Sequence, residues 1–187
     1  VDSFAGVLNI IGNIGTFGGA NNFAWGGIGQ TFESISGNNN IGIGFQSGYN
    51  LTTGNNNTNM GYQAGYSLTT GVQNNNYGSN SGYGAISASY NNNFGYQAGY
   101  GLTYGDNNNN FGREAGYGLI GGYYNNNFGY RAGYNSVAGQ YLNNFGYLAG
   151  YNNTGTYNNN FGREAGYAGS GGNNNNFGRY SGSSVVS

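Results

Sequence analysis

The feature that most constrains this chain is a fixed seventeen-residue register. A large residue followed by Gly recurs at Ile43-Gly44, Met60-Gly61, Tyr77-Gly78, Phe94-Gly95, Phe111-Gly112, Phe128-Gly129, Phe145-Gly146, Phe161-Gly162 and Phe177-Gly178. Successive units are seventeen residues apart six times and then sixteen apart twice. The unit reads Asn-x-Asn-Φ-Gly-x-x-Ala/Ser-Gly, with Φ large and mostly apolar; seven of the nine keep both Asn, and eight of the nine continue with Tyr, at positions 49, 66, 83, 100, 117, 134, 151 and 167. A relaxed linker drifts in length; this chain holds its register, so the unit is a structural repeat.

Composition alone would suggest the opposite. Of 187 residues, 41 are Gly, 38 Asn and 20 Tyr, and nine are charged. Such bias is usual in disordered, prion-like segments, and it is the register that decides against that reading. The same bias narrows the chemistry. Without His, Cys or Lys the chain lacks soft-metal ligands, thiol nucleophiles, the usual proton shuttles and Schiff-base amines. Four Arg against five acids make no field for nucleic acid or an anionic membrane surface. The expectation is a non-enzymatic protein with no catalytic residue, cofactor or metal, no nucleic-acid partner and no membrane insertion. The absence of Cys leaves the redox compartment open.

A period this short is too small for helical repeats or propeller blades, and four Gly per unit oppose a helix. Seventeen residues at about 3.3 Å each give a contour of roughly 56 Å, which suits one turn of a narrow coil. The expected fold is therefore all-β, a parallel β-solenoid of about nine to eleven rungs. Each rung would carry two or three short strands, and rungs would stack at about 4.8 Å. The lack of Pro agrees, since interior N–H groups must donate to neighbouring rungs. Residues 41–187 form the array in this reading, and residues 1–40 a divergent N-terminal cap or assembly segment.

Counting from the anchoring Gly, Φ, Ala/Ser, Tyr and Leu fall at offsets −1, +3, +5 and +7. Period two predicts that these share the inward face. Phe94, Phe111, Phe128, Phe145, Phe161 and Phe177 would then form an aromatic core ladder. Ala98, Ala115, Ala132, Ala149 and Ala165 would line a close wall, and Leu51, Leu68, Leu102 and Leu119 a third column that ends by Asn153. The steadiest Asn lies at offset −2, as Asn59, Asn76, Asn93, Asn110, Asn127, Asn144, Asn160 and Asn176. Amides stacked in that way can hydrogen-bond from rung to rung.

The charges cluster just after the anchor. Stacking is expected to set Glu114 beside Arg131 as a surface ion pair, and Arg163 beside Arg179 with Glu164 available between them. Glu114 and Glu164, three rungs apart, are too distant for paired-carboxylate hydrolysis. Tyr62, Tyr96, Tyr130 and Tyr147 share one offset with Arg113, Arg163 and Arg179. A position that accepts both Tyr and Arg reads as outward, giving a stripe for glycan or lateral contact, or an intramolecular cation–π stack. Sequons at Asn50, Asn56 and Asn152 arise readily by chance in such a composition. The Thr pairs at 52–53 and 69–70 hint at an ice-binding array, but it does not continue.

The N-terminal segment carries the most aliphatic stretch, Val7, Leu8, Ile10, Ile11, Ile14 and Phe17, a candidate assembly element. It is too short and too rich in Gly for a membrane span. A start at Val1 fits a mature product whose leader was removed. No Pro or charge cluster marks the last residues, and an open solenoid end invites head-to-tail stacking.

The strings Asn-Met-Gly-Tyr-Gln-Ala-Gly-Tyr-Ser-Leu-Thr-Thr-Gly (59–71) and Asn-Phe-Gly-Tyr-Gln-Ala-Gly-Tyr-Gly-Leu-Thr (93–103) resemble repeats of bacteriophage tail-fibre and related bacterial surface proteins. More distantly they resemble the β-roll heads of trimeric autotransporter adhesins. The resemblance implies an elongated β-roll at a cell surface or on a virion, often trimeric, used as a shaft or adhesin. The expected function is a structural subunit that polymerises with itself into an extracellular fibre. The alternative is an adhesin or tail-fibre segment, homotrimeric, that binds glycans through the Tyr/Arg stripe.

Overall fold

The computed structural model describes residues 21–25 and 36–183. The proposed assembly residues Val7, Leu8, Ile10, Ile11, Ile14 and Phe17 lie outside them. Ten three-residue strands follow in order: β1 (Phe23–Trp25), β2 (Ile41–Ile43), β3 (Thr58–Met60), β4 (Asn75–Tyr77), β5 (Asn92–Phe94), β6 (Asn109–Phe111), β7 (Asn126–Phe128), β8 (Asn143–Phe145), β9 (Asn159–Phe161) and β10 (Asn175–Phe177). They form one parallel sheet in chain order, so each strand pairs with the same segment of the adjacent repeat, as in Asn93↔Asn110 and Phe94↔Phe111. The fold is the expected all-β solenoid. It reaches one strand into the N-terminal segment, where Phe23–Trp25 pairs with Ile41–Ile43.

Each rung holds one short strand instead of two or three, because the backbone beyond Φ cannot stay extended. In the rung of β5, Gly95, Gln97 and Gly99 have φ of 138°, 53° and 63°. Three left-handed residues in five turn the chain and end any period-two path. The alternation read across that segment therefore fails. Within β4 to β9 the first Asn and Φ are half-buried while the middle Asn is buried.

This inverts one expectation. Phe94, Phe111, Phe128, Phe145 and Phe161 do stack, but half-buried on the outer side of the strand, and Phe177 is 65 % exposed. The interior belongs to the residues beside them: Asn59, Asn76, Asn93, Asn110, Asn127, Asn144 and Asn160 are all buried. The small-residue and Leu columns are internal as read, with Ala98, Ala115, Ala132, Ala149, Ala165, Leu68, Leu102 and Leu119 at 0 % exposure. The reason is space. A Cβ on Gly99 would collide with the amide of Asn93, so the wall opposite is only an amide away, too close for a ring.

A second buried Asn column lies at offset −4. Asn91 Nδ2 donates to Asn74 Oδ1 at 3.2 Å and to Gly105 O at 2.9 Å, while its backbone N–H donates to the same Asn74 oxygen at 3.1 Å. Both amide hydrogens and both oxygen lone pairs are thereby used. Among the described residues no buried side-chain N or O lacks a partner.

Candidate interaction surface

With a core of Leu, Ala and Asn, every ring of the array is left partly outside, and stacking sorts these rings into columns. The Φ column runs from Tyr77 through Phe177 with centroids 4.7–5.3 Å apart. A Tyr column at offset +5 runs from Tyr49 to Tyr167 at 4.8–5.2 Å, with ring planes within 8°. A shorter one, Tyr124, Tyr141 and Tyr157, was not singled out in the sequence. Its register was visible there, but its residues sit in the most variable part of the repeat.

The stripe at offset +1 contains Tyr62, Tyr96, Tyr130, Tyr147, Arg113, Arg163 and Arg179, brought into one file. The guanidinium of Arg113 lies between two rings, 5.5 Å from Tyr96 and 5.9 Å from Tyr130. Arg163 lies 5.3 Å over Tyr147, and Tyr130 stacks on Tyr147 at 5.2 Å. The cation–π arrangement is therefore built within the molecule. It also limits the stripe as a sugar-binding surface. Ring faces inside a stack are covered by their neighbours, leaving edges and hydroxyls for solvent.

Arg131 Nε donates to Glu114 Oε2 at 2.6 Å and Arg113 Nε to Glu114 Oε1 at 3.1 Å. The Glu114–Arg131 pair is thus present, but it is not a surface pair as expected. The Glu114 side chain is only 7 % exposed, against 35 % for Arg131. Burial pushes the Glu114 carboxyl up, and the hydrogen bonds from Arg131 and Arg113 outweigh it, holding the group below its ordinary value. Burial, with Tyr117 and Tyr151 as neighbours, pushes the Tyr134 phenol up. The expected Arg163–Arg179 conflict is resolved by local partners. Arg163 pairs with Glu164 at 3.1 Å, and Arg179 donates to the Tyr180 hydroxyl at 2.9 Å while lying over that ring.

The offset −2 Asn column carries hydrogen bonds of 2.7–2.8 Å from each Nδ2 to the Oδ1 one rung earlier, from Asn76 through Asn176. Its role is cohesion of the rod. The column next to it, at offset −3, runs the opposite way: Asn92 Nδ2 donates forward to Asn109 Oδ1 at 2.8 Å.

No protein-family model matches this chain, nor does any curated protein or any solved structure.

What the columns can do is set by their ends. Among the described residues β10 pairs with β9 alone. At the first and last described rungs of the Φ position, Trp25 is 57 % and Phe177 is 65 % exposed. Asn176 Nδ2 donates back to Asn160, and no donor reaches its Oδ1 among the described residues.

Proposed function

We propose that this protein is a structural subunit that stacks end to end with copies of itself into an extracellular fibre. The observation that carries this is the edge of β10 that no described strand covers. It offers an incoming strand the same Asn-Asn-Phe pattern, the same acceptor in the Asn column and the same ring face that β5 to β9 each offer the next strand. A strand docking there gains backbone pairing, an amide bond and a ring stack at once. A head-to-tail contact of this kind does not close, and so propagates. The resemblance to fibre shafts supports the extracellular or virion-surface setting.

Electron microscopy of purified protein tests the proposal. Filaments of uniform width should grow at micromolar concentration, and deleting residues 1–30, the proposed connector, should abolish them. Discrete particles after long incubation of the intact chain would overturn it.

A further inference from the structure

The offset +1 column has one missing member. Phe45 stacks on Tyr62 at 5.6 Å, and Tyr96 receives Arg113 on one face at 5.5 Å. Between Tyr62 and Tyr96 the repeat places Ser79, whose hydroxyl turns to Asn80 Oδ1 at 3.4 Å. A Ser does not reach the ring positions, so by the register Tyr62 and Tyr96 lie two rung spacings apart, about 10 Å, with no ring or guanidinium from the intervening rung between them. Both are held from behind, and both remain accessible, Tyr62 at 51 % and Tyr96 at 47 % exposure.

Two rungs further on, the equivalent position is filled. Tyr96 and Tyr130 are also two rungs apart, and the guanidinium of Arg113 occupies the space between them. Tyr130 shows that one ring can carry two such cations, since Arg131 lies 5.2 Å from it while Arg113 lies 5.9 Å away. We propose that the gap at Ser79 is a binding slot for a planar guanidinium group, an arginine side chain or a free arginine-like cation, clamped between Tyr62 and Tyr96.

The flat, weakly hydrated guanidinium suits two parallel faces, whereas a compact ammonium does not. The neighbouring residues at offset +2, Gln63, Asn80 and Gln97, are neutral, so the rings provide the attraction without a carboxylate. With two partly exposed faces, half-saturation should fall on the order of tens of millimolar.

The test is a titration of the intact protein with N-acetyl-arginine amide, followed by the ring-proton shifts of Tyr62 and Tyr96. Expected are saturable shifts confined to those rings, several-fold weaker with N-acetyl-lysine amide. They should vanish in Ser79→Arg, which fills the slot from within and should raise Tm slightly. A second arm distinguishes the source of the cation. If a second copy supplies it, the same shifts appear on concentrating the protein alone and disappear in the Arg163→Lys, Arg179→Lys double variant. If they follow only the added probe, the slot takes a free ligand. Shifts spread evenly over all Tyr, persistence in Ser79→Arg, or stronger binding of N-acetyl-tyrosine amide than of the arginine probe would each overturn the proposal.

Discussion

A buried amide without a partner costs about 1–3 kcal/mol, so an interior lined with Asn is tolerable only when each rung satisfies the next. Asn110 shows how tightly that condition binds: its Nδ2 donates to Asn93, and its Oδ1 accepts from Asn127. Asn110→Ala strands both neighbours and should cost roughly 2–5 kcal/mol. Asn109→Ala, one position away on the half-buried outer side, should cost under about 1 kcal/mol. Urea unfolding of the two variants measures the contrast. A similar contrast exists among glycines. Gly99 has φ 63° and no room for a Cβ, whereas nothing lies within 4 Å of a Cβ on Gly121. Gly99→Ala should lower Tm sharply, and Gly121→Ala should leave it unchanged or raise it slightly. At this scale the sequence displayed the Asn periodicity plainly but not its direction. Hydrophobicity favours Phe over Asn for the inside, and only the narrowness of the rung, set by the Gly99 approach to Asn93, reverses that preference.

At the scale of the element, the rungs are not all alike. Asn50 and Ser67 donate their N–H forward, to Tyr66 O and Tyr83 O, both at 3.1 Å. From Gly118 onward the equivalent N–H points backward: Gly118 to Tyr100 O at 2.8 Å, and Asn135 to Tyr117 O at 2.7 Å. The φ of that residue switches with it, becoming positive at Gly101, Gly118, Asn135, Asn152 and Ala168. The two peptide orientations meet between Gly84 and Gly101, whose N–H groups have no protein acceptor among the described residues. Of the two, only Gly101 has the positive φ that glycine adopts without strain. Amide exchange at Gly84 and Gly101 should therefore outrun that of Gly118 by about tenfold or more, as hydrogen-exchange NMR would measure. A second irregularity is compensated within the core. Ser136 replaces Leu in the Leu column while Leu142 replaces Asn in the offset −4 column, and both are fully buried. The Leu column was legible in the sequence; its exchange with the Asn column was not, because the two lie far apart along the repeat and meet only through the corner. Glu114 also belongs at this scale, since it joins two rungs. Its folded-state value is depressed, so its contribution is present above the unfolded value of about 4.3 and is lost as pH falls through the lower folded value. Glu114→Gln should cost about 1–3 kcal/mol at pH 7. The gap from the unsubstituted protein should narrow as pH falls below the unfolded value of about 4.3, as read from Tm against pH.

For the molecule as a whole, the period made the architecture legible before any coordinate, since seventeen residues in strict register allow little besides a parallel coil. Even the shortened repeats keep it: Tyr151 stacks on Tyr167 sixteen residues away as closely as Tyr134 stacks on Tyr151 seventeen away, both at 5.0 Å. What a rod of stacked rungs does with its ends is then the functional question. The last described strand can be altered without disturbing the interior, because Asn176 gives up one hydrogen bond to Asn160 and is half-buried. In the single molecule, Asn176→Lys can extend its ammonium into solvent and should cost little. In an end-to-end stack the same ammonium would lie in the Asn column beneath another rung, without a counter-ion. The proposed assembly therefore predicts that Asn176→Lys raises the concentration needed for filaments at least about tenfold, a difference of about 1.4 kcal/mol per contact. Tm of the dispersed protein should barely move. Thr53→Lys, which adds the same charge at an exposed position on the flank, should leave the threshold where it was. Sedimentation across a concentration series separates the two variants, and an equal effect from both would mean that the subunits associate through their sides and not through the edge of β10.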